Sequence, residues 1–218
     1  MKKVLFFSLL LIGAMIITAT GEAEANLLSN PGFEQAIGDN LDVDVWWAMR
    51  EYPAVNDVEM KTATGQKHAG SQSGRITMTS NTAEVKNTWA GYGQERDILA
   101  GNPIFASAWV KSTDAYGTAA KLVVEFKNIY GNEIGRTYAV APTGQFEWTY
   151  LEITGINAPA NTAIALVNLL VEKPAGSAHG EYYWDEANFE VVPEPSSMLL
   201  LGTGLVGLFG ISRKKRSA

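Results

Sequence analysis

Two constellations in this 218-residue chain have the residue types for binding chemistry. The first is a pair of carboxylates far apart in sequence. Glu34 follows the Asn30-Pro31-Gly32-Phe33 turn near the N-terminus, and Asp185 lies in the last stretch of strand-like sequence. A calcium ion takes six to eight oxygens, from carboxylates and carbonyls, at about 2.3–2.6 Å. A fold that brings its first and last strands together lets these acids meet, and carbonyls of the Lys67–Ser71 loop are suited to complete the set. The plainer alternative is that Glu34 caps a turn and Asp185 pairs with a cation. The second constellation is aromatic, drawn from Trp46, Trp47, Trp89, Trp109, Trp148 and Trp184. Flat rings stack on the C–H faces of sugars, while nearby Glu, Gln, Asn and Arg bond the hydroxyls. Trp47, Trp89, Tyr92, Gln94 and Glu125 combine both kinds of group on stretches expected to cross one face. The competing role for any single ring is core packing.

Catalytic patterns are missing from the same residues. The two histidines, His68 and His179, form no H-E-x-x-H pair. Gly70-Ser71-Gln72-Ser73-Gly74 places Gln72 where a nucleophile elbow needs serine. Gly91-Tyr92-Gly93 opens no helix, so it is not a dinucleotide loop. A glycosidase needs two carboxylates facing each other across a cleft, and no pair is singled out among the acids. The absence of cysteine excludes thiol catalysis and zinc–thiolate sites. No enzymatic activity is expected.

These groups must be held by β-strands. Lys121 to Lys127 alternates, with Leu122, Val124 and Phe126 on one face and Lys121, Val123, Glu125 and Lys127 on the other. Ile104 to Lys111 alternates as strongly. Further strands are expected at Val58–Thr62, Arg75–Thr79, Lys86–Ile98, Ile134–Val140, Phe146–Ile153, Ile164–Glu172 and Glu181–Val191, with turn signals between them. Gly91 and Gly93 suggest a bulge in the Lys86–Ile98 strand. About ten short strands without helical periodicity predict an all-β jelly-roll sandwich.

The two ends of the chain read as addresses. Lys2 and Lys3, the apolar Val4–Ile17 and the Ala23-Glu24-Ala25 site form a signal peptide over residues 1–25. At the other end, Pro193-Glu194-Pro195 precedes a charge-free run from Met198 to Ser212 and then Arg213, Lys214, Lys215 and Arg216. The run is short for a spanning helix, which needs about 20 residues, and it carries four helix-weakening glycines. Its basic end belongs in the cytoplasm, which places the preceding domain outside the inner membrane. This order of parts resembles the PEP-CTERM sorting tail, over residues 193–218. The resemblance implies processing near Pro193, Glu194 and Pro195 by an exosortase, transient anchoring in the inner membrane of a Gram-negative bacterium, and delivery to the cell surface or exopolysaccharide matrix.

Without these termini the 26–192 domain holds 11 cations and 20 acids, a net charge near −9. That argues against nucleic acid or an anionic membrane as an electrostatic partner. Within the domain, Leu27–Glu34 (LLSNPGFE), His68–Ser73, Ala100–Lys111 and Tyr182–Phe189 (YYWDEANF) resemble, in order, the signatures of the carbohydrate-binding modules found on cellulases and xylanases. Phe146-Glu147-Trp148 and Ala158-Pro159-Ala160 fall where that family has its tryptophan and Ala-Pro-Ala-Gly signatures. The resemblance implies a galactose-binding-like sandwich with a sugar-binding face and a structural calcium held by Glu34 and Asp185. It also assigns Trp109, Trp148 and Trp184 to core-like motifs. Three roles follow: an exported module binding polysaccharide without cleaving it, a structural matrix or adhesion protein lacking the sugar site, and, against the pattern, a glycosidase.

Overall fold

The computed structural model describes residues 26–35, 46–50, 58–79 and 87–192. The expected signal peptide, Pro193-Glu194-Pro195 and the apolar run after it lie outside the described residues. Ten strands are formed: β1 (Trp47–Arg50), β2 (Val58–Ala63), β3 (Ser73–Met78), β4 (Thr88–Asp97), β5 (Pro103–Tyr116), β6 (Ala119–Lys127), β7 (Glu133–Val140), β8 (Phe146–Asn157), β9 (Ile164–Lys173) and β10 (His179–Val191). They make two five-stranded antiparallel sheets, ordered β1-β4-β9-β6-β7 and β2-β3-β10-β5-β8. No helix occurs among the described residues, and none there is long and apolar enough to cross a membrane. The architecture is the jelly-roll sandwich predicted from alternation.

The alternation works as the sequence implies. Leu122, Val124 and Phe126 of β6 meet Ala165, Val167, Leu169 and Val171 of β9 and the inward residues Ile104, Ala106, Ala108 and Val110 of β5 in one buried core. Trp184 and Phe189 of β10 are fully buried there. Every residue of this core lies within Asn26–Val191, which is a compact unit of its own. The N-terminal segment docks on the last strand: the Leu27 amide bonds Phe189 O at 2.8 Å and the Ala187 amide bonds Pro31 O at 2.9 Å. Phe33 is fully buried, stacked on Trp46 at 5.3 Å. Gly74 makes that possible, since a Cβ there would come within 2.7 Å of the Phe33 ring.

The expected bulge at Gly91 and Gly93 does not form. The β4–β9 register runs unbroken from Thr88 to Asp97. These glycines serve close approach: a Cβ on Gly91 would meet Leu169 O at 2.8 Å, and one on Gly93 would meet Met49 Cε at 2.8 Å and Asn168 Oδ1 at 2.9 Å. Register shifts occur elsewhere: between β10 and β5 at Glu181/Tyr182 and Asp185/Asn188, between β5 and β8 at Ile104/Ala106 and Val110/Ser112, and between β6 and β7 at Phe126/Lys127.

Candidate functional site

Residues directly opposite in antiparallel strands share a face, so the registers define rows across the outer face of the β1-β4-β9-β6-β7 sheet. One row is Trp47, Gly93, Asn168, Val123 and Tyr138. With strands about 4.8 Å apart it spans about 19 Å. Its two ends are aromatic. Trp47 is half-buried and Tyr138 is 57% exposed. Between them Gly93 has no side chain and is covered by Met49, and Asn168 is only 6% exposed. Asn168 Oδ1 is buried and has no hydrogen-bond partner among the described residues. A buried acceptor left unpaired is costly, and Met49 packs over Gly93 beside this atom, so a hydroxyl donor reaches it only once that side chain moves.

The flanking rows are charged. Toward one side lie Glu95, Leu166, Glu125 and Arg136. Lys127 reaches Glu95 at 2.7 Å and Glu125 at 4.0 Å, and Arg136 reaches Glu125 at 3.5 Å. Toward the other side Lys121 bonds Glu172 at 2.6 Å and lies 5.2 Å from the centre of the Tyr138 ring. Trp89 is opposite Glu172 and lines an open depression of about 370 Å³ with Asn87, Ala119 and Pro174. Each of these cations thus has a carboxylate partner within the face.

Of the five residues expected to contact sugar, Trp47, Trp89 and Glu125 lie on this face. Tyr92 and Gln94 do not. They sit at odd spacings from Trp89 on the same strand, and a period of two sends them inward. Tyr92 is fully buried and its hydroxyl donates toward Arg75 O at 2.6 Å, with Lys61 O at 3.1 Å. Burial pushes its phenol above the ordinary range. Gln94 is fully buried and pairs both ways with Ser29, accepting from its amide at 3.0 Å and donating to its carbonyl at 2.7 Å. Asn168 and Tyr138 were the residues missed. The signal for Asn168 was in plain sight, as one amide within the apolar run Ile164–Val171.

Glu34 and Asp185 do converge, on the loop 67–71. Asp185 is fully buried; its Oδ2 accepts from the His68 amide at 2.8 Å and the Ala69 amide at 3.0 Å, and its Oδ1 from the Glu186 amide at 2.8 Å. Desolvation raises its carboxyl above the ordinary value, against the pull of those amides. Glu34 accepts from the Ser71 hydroxyl and, at 2.9 Å, from its amide, which hold its carboxyl below the usual range. Gly70 is in the left-handed region at φ 60°, and a Cβ there would overlap Glu34 Oε1. A Cβ at Gly32 would lie 3.6 Å from Asp185 Oδ1 and 3.9 Å from Glu34 Oε1. Each acid brings a carboxylate oxygen to the same side of Gly32, but the 67–71 loop turns amide N–H groups toward both, so a hard cation there would have to replace those hydrogen bonds. No cluster of three or more acidic, histidine or cysteine side chains suited to a metal occurs among the described residues, so such an ion would draw on backbone oxygens too.

Trp184 is in the core, but Trp109 and Trp148 are not. Inward slots on β5 go to Ala106, Ala108 and Val110, so Trp109 faces out. His68 stacks on Trp109 at 4.0 Å, meets the Trp148 edge at 5.6 Å and pairs with Glu186. Tyr150 leans on Trp109 at 5.2 Å. This outer cluster on the second sheet clamps the loop that covers Asp185.

Residues 191–214 match the PEP-CTERM protein-sorting motif. No curated protein matches the chain. Among solved structures, the enzymatically active domain of bacteriophage CBA120 tailspike protein 4 aligns with a TM-score of 0.57 at 14% identity, over 77% of this chain and 21% of that one. The chain therefore spans about a fifth of that protein. The CBM22-1 xylan-binding domain from Paenibacillus barcinonensis aligns with a TM-score of 0.52 at 18% identity, over 80% of this chain and 99% of the domain. A further xylan-binding CBM22 domain gives 0.50 at 16% identity, over 78% and 97%. The chain thus carries a PEP-CTERM sorting motif, and its folded domain has a β-sandwich fold similar to that of these structures.

Proposed function

We propose that this protein is an exported, non-catalytic glycan-binding protein, handed to an exosortase through its PEP-CTERM tail and placed at the cell surface or in the exopolysaccharide matrix. The observation that carries this reading is the row from Trp47 to Tyr138, with the buried, unpartnered Asn168 Oδ1 in its floor. Aromatic platforms at both ends would take sugar C–H faces, and Asn168 would accept from a hydroxyl once Met49 moves from above Gly93. Four carboxylates (Glu95, Glu125, Glu133, Glu172) against three cations (Lys121, Lys127, Arg136) leave the face without excess positive charge. That favours a neutral polysaccharide over a polyanion. Glu95 and Glu125 share a row, but Lys127 lies between them as counter-ion. The acid of a glycosidase must hold its proton, and a lysine partner works against that.

Calcium belongs to the same proposal. Glu34 and Asp185 would hold it, with carbonyls of the 67–71 loop, and the ion would tie the docked N-terminal segment to β10. It would supply charge neutralisation for the desolvated Asp185, and binding to the folded state alone stabilises it.

The test is affinity electrophoresis of the tag-free 26–192 domain against soluble neutral polysaccharides and the producer's exopolysaccharide, with and without a chelator. Retardation lost in Trp47→Ala and Asn168→Ala establishes the site. No retardation by any glycan, with a melting temperature that still falls on chelation, would leave a structural matrix protein of the same fold.

A further inference from the structure

We propose that the end of the sandwich carrying Leu99, Ile129 and Tyr130 is a lipid-facing surface, seated on the bilayer while the tail is uncut. This rests on the reading that the PEP-CTERM segment anchors the precursor. Leu99, Ile129 and Tyr130 are the most exposed large apolar residues described, at 74%, 74% and 80%. All three stand at one end of the molecule. Asp97 is opposite Ile164, and Ile164 is opposite Lys127, so the turns after β4 and β6 are two strand spacings apart, about 10 Å.

The surface is built, not frayed. The Leu99 amide bonds Asn102 Oδ1 at 2.8 Å, and the Asn102 amide returns to Leu99 O at 3.1 Å. Asn128 Oδ1 accepts from the Tyr130 and Asn132 amides at 2.9 and 3.1 Å. The 157–163 loop is tied in through Gly101 N to Ala158 O at 2.8 Å and Ala163 N to Lys127 O at 2.9 Å. None of the segments 99–103, 128–132 and 157–163 contains a charged residue. Water gains nothing from these side chains, whereas leucine, isoleucine and tyrosine are the types that settle in the interfacial zone of a bilayer.

The chain itself indicates the occupant. β10 ends with Val191 opposite Ile104, at the same end as the three loops. From Val192 to the apolar run at Met198 are six residues, at most about 20 Å of extended chain. A tail inserted in the membrane would therefore keep the end of β10 within about 20 Å of the lipid. Because the patch is uncharged, apolar insertion and not electrostatic attraction holds it there, which agrees with a net-acidic domain.

The chain has no cysteine, so single labels report cleanly. Leu99→Cys and Ile129→Cys, with Ser177→Cys at the opposite end as control, carry an environment-sensitive fluorophore. The full chain with its tail intact is placed in vesicles of phosphatidylethanolamine and phosphatidylglycerol containing a lipid-borne quencher. Insertion by about 5–10 Å predicts a blue shift and at least about twofold quenching at Leu99 and Ile129, with neither at Ser177. In a second arm, residues 26–197 are tethered by a C-terminal hexahistidine to nickel-chelating lipid, which restores the same attachment point without the tail. Vesicle flotation of the full chain tests the anchor separately. Failure to float overturns the anchoring reading, and the tethered arm then decides the surface. Unchanged emission at Leu99 and Ile129 in the tethered arm, or equal quenching at Ser177, overturns the lipid-facing surface.

Discussion

Tyr92→Phe separates the core from the binding face in one substitution. The ring is fully buried and tilted against Phe33 at 5.2 Å. Its hydroxyl sits 2.6 Å from Arg75 O and 3.1 Å from Lys61 O, residues that face each other across β2 and β3. The hydroxyl therefore joins β4 of one sheet to the edge pair of the other. Phenylalanine keeps the ring and removes the donor from buried carbonyls. A net hydrogen bond contributes about 0.5–1.5 kcal/mol, and an acceptor left unpaired costs about 1–3 kcal/mol, so the loss is about 1.5 kcal/mol. In a domain of this size about 1 kcal/mol moves the midpoint by roughly 2–4 °C, which gives a drop of roughly 3–6 °C. Thermal unfolding by circular dichroism measures it, alongside affinity electrophoresis on the same sample. Glycan retardation should match the parent once both run well below the midpoint. A variant that melts within about 1 °C of the parent but loses retardation would refute the core assignment and return Tyr92 to the site.

On the binding face, Trp47→Ala and Asn168→Ala are each expected to weaken glycan retardation about tenfold or more, since a lost stacking surface or buried partner costs about 1–3 kcal/mol. Calcium removal should lower the melting temperature of the parent domain, and Asp185→Ala should abolish that response. At saturating calcium, about 100 times its dissociation constant, the difference is about 2.7 kcal/mol. Gly70→Ala should destabilise by at least about 1–2 kcal/mol, because its φ of 60° disfavours any Cβ and Glu34 must move; the calcium-induced shift should shrink with it. Acid should weaken the domain modestly through the exposed Glu34, Glu59 and Glu133, while Asp185, raised by desolvation, acts the other way. Hydrogen bonds from Ser71, Lys61 and Arg136 respectively are the largest of the effects lowering the three glutamates. Their stabilisation is present above the unfolded value near 4.5 and is lost as pH falls through the lower folded values. Melting curves from pH 6 to pH 3 should decline below about pH 4.5, and the Glu34→Gln curve should decline less.

The sheets were legible because most strands alternate cleanly. On β6 the inward Leu122, Val124 and Phe126 are separated from Lys121, Glu125 and Lys127 by hydropathy alone. β4 defeats the same rule. Its outward positions include Gly91 and Gly93, which read as neutral, while its inward positions include Gln94, which reads as polar. Side-chain polarity is inverted there by two local demands: the backbone of Ser29 needs an amide partner, and Met49 and Leu170 need space over the glycines. Trp109 and Trp148 were misplaced for another reason. Their rings suit a core, but the inward positions of β5 are taken by Ile104, Ala106, Ala108 and Val110, and both indoles meet His68 on the outer face. The meeting of Glu34 and Asp185 on one loop was legible because both lie beside the ends of the fold, where a jelly roll pairs first and last segments.

The registers also fix how the surfaces relate within the domain. The Trp47–Tyr138 row runs across the strands, whereas the Leu99, Ile129 and Tyr130 loops cap their ends. From Gly93 to Asp97 on β4 is four residues, about 14 Å along the strand. A polysaccharide lying in the row would therefore run parallel to a surface beneath the loops and clear it by about that distance. Glycan and lipid would then engage the domain without competing. The His68–Trp109 clamp, on the other sheet, shares no residue with either. On the proposed glycan and lipid readings, such a domain would hold a sugar polymer before and after release of the tail, since no residue of the row lies in the tail.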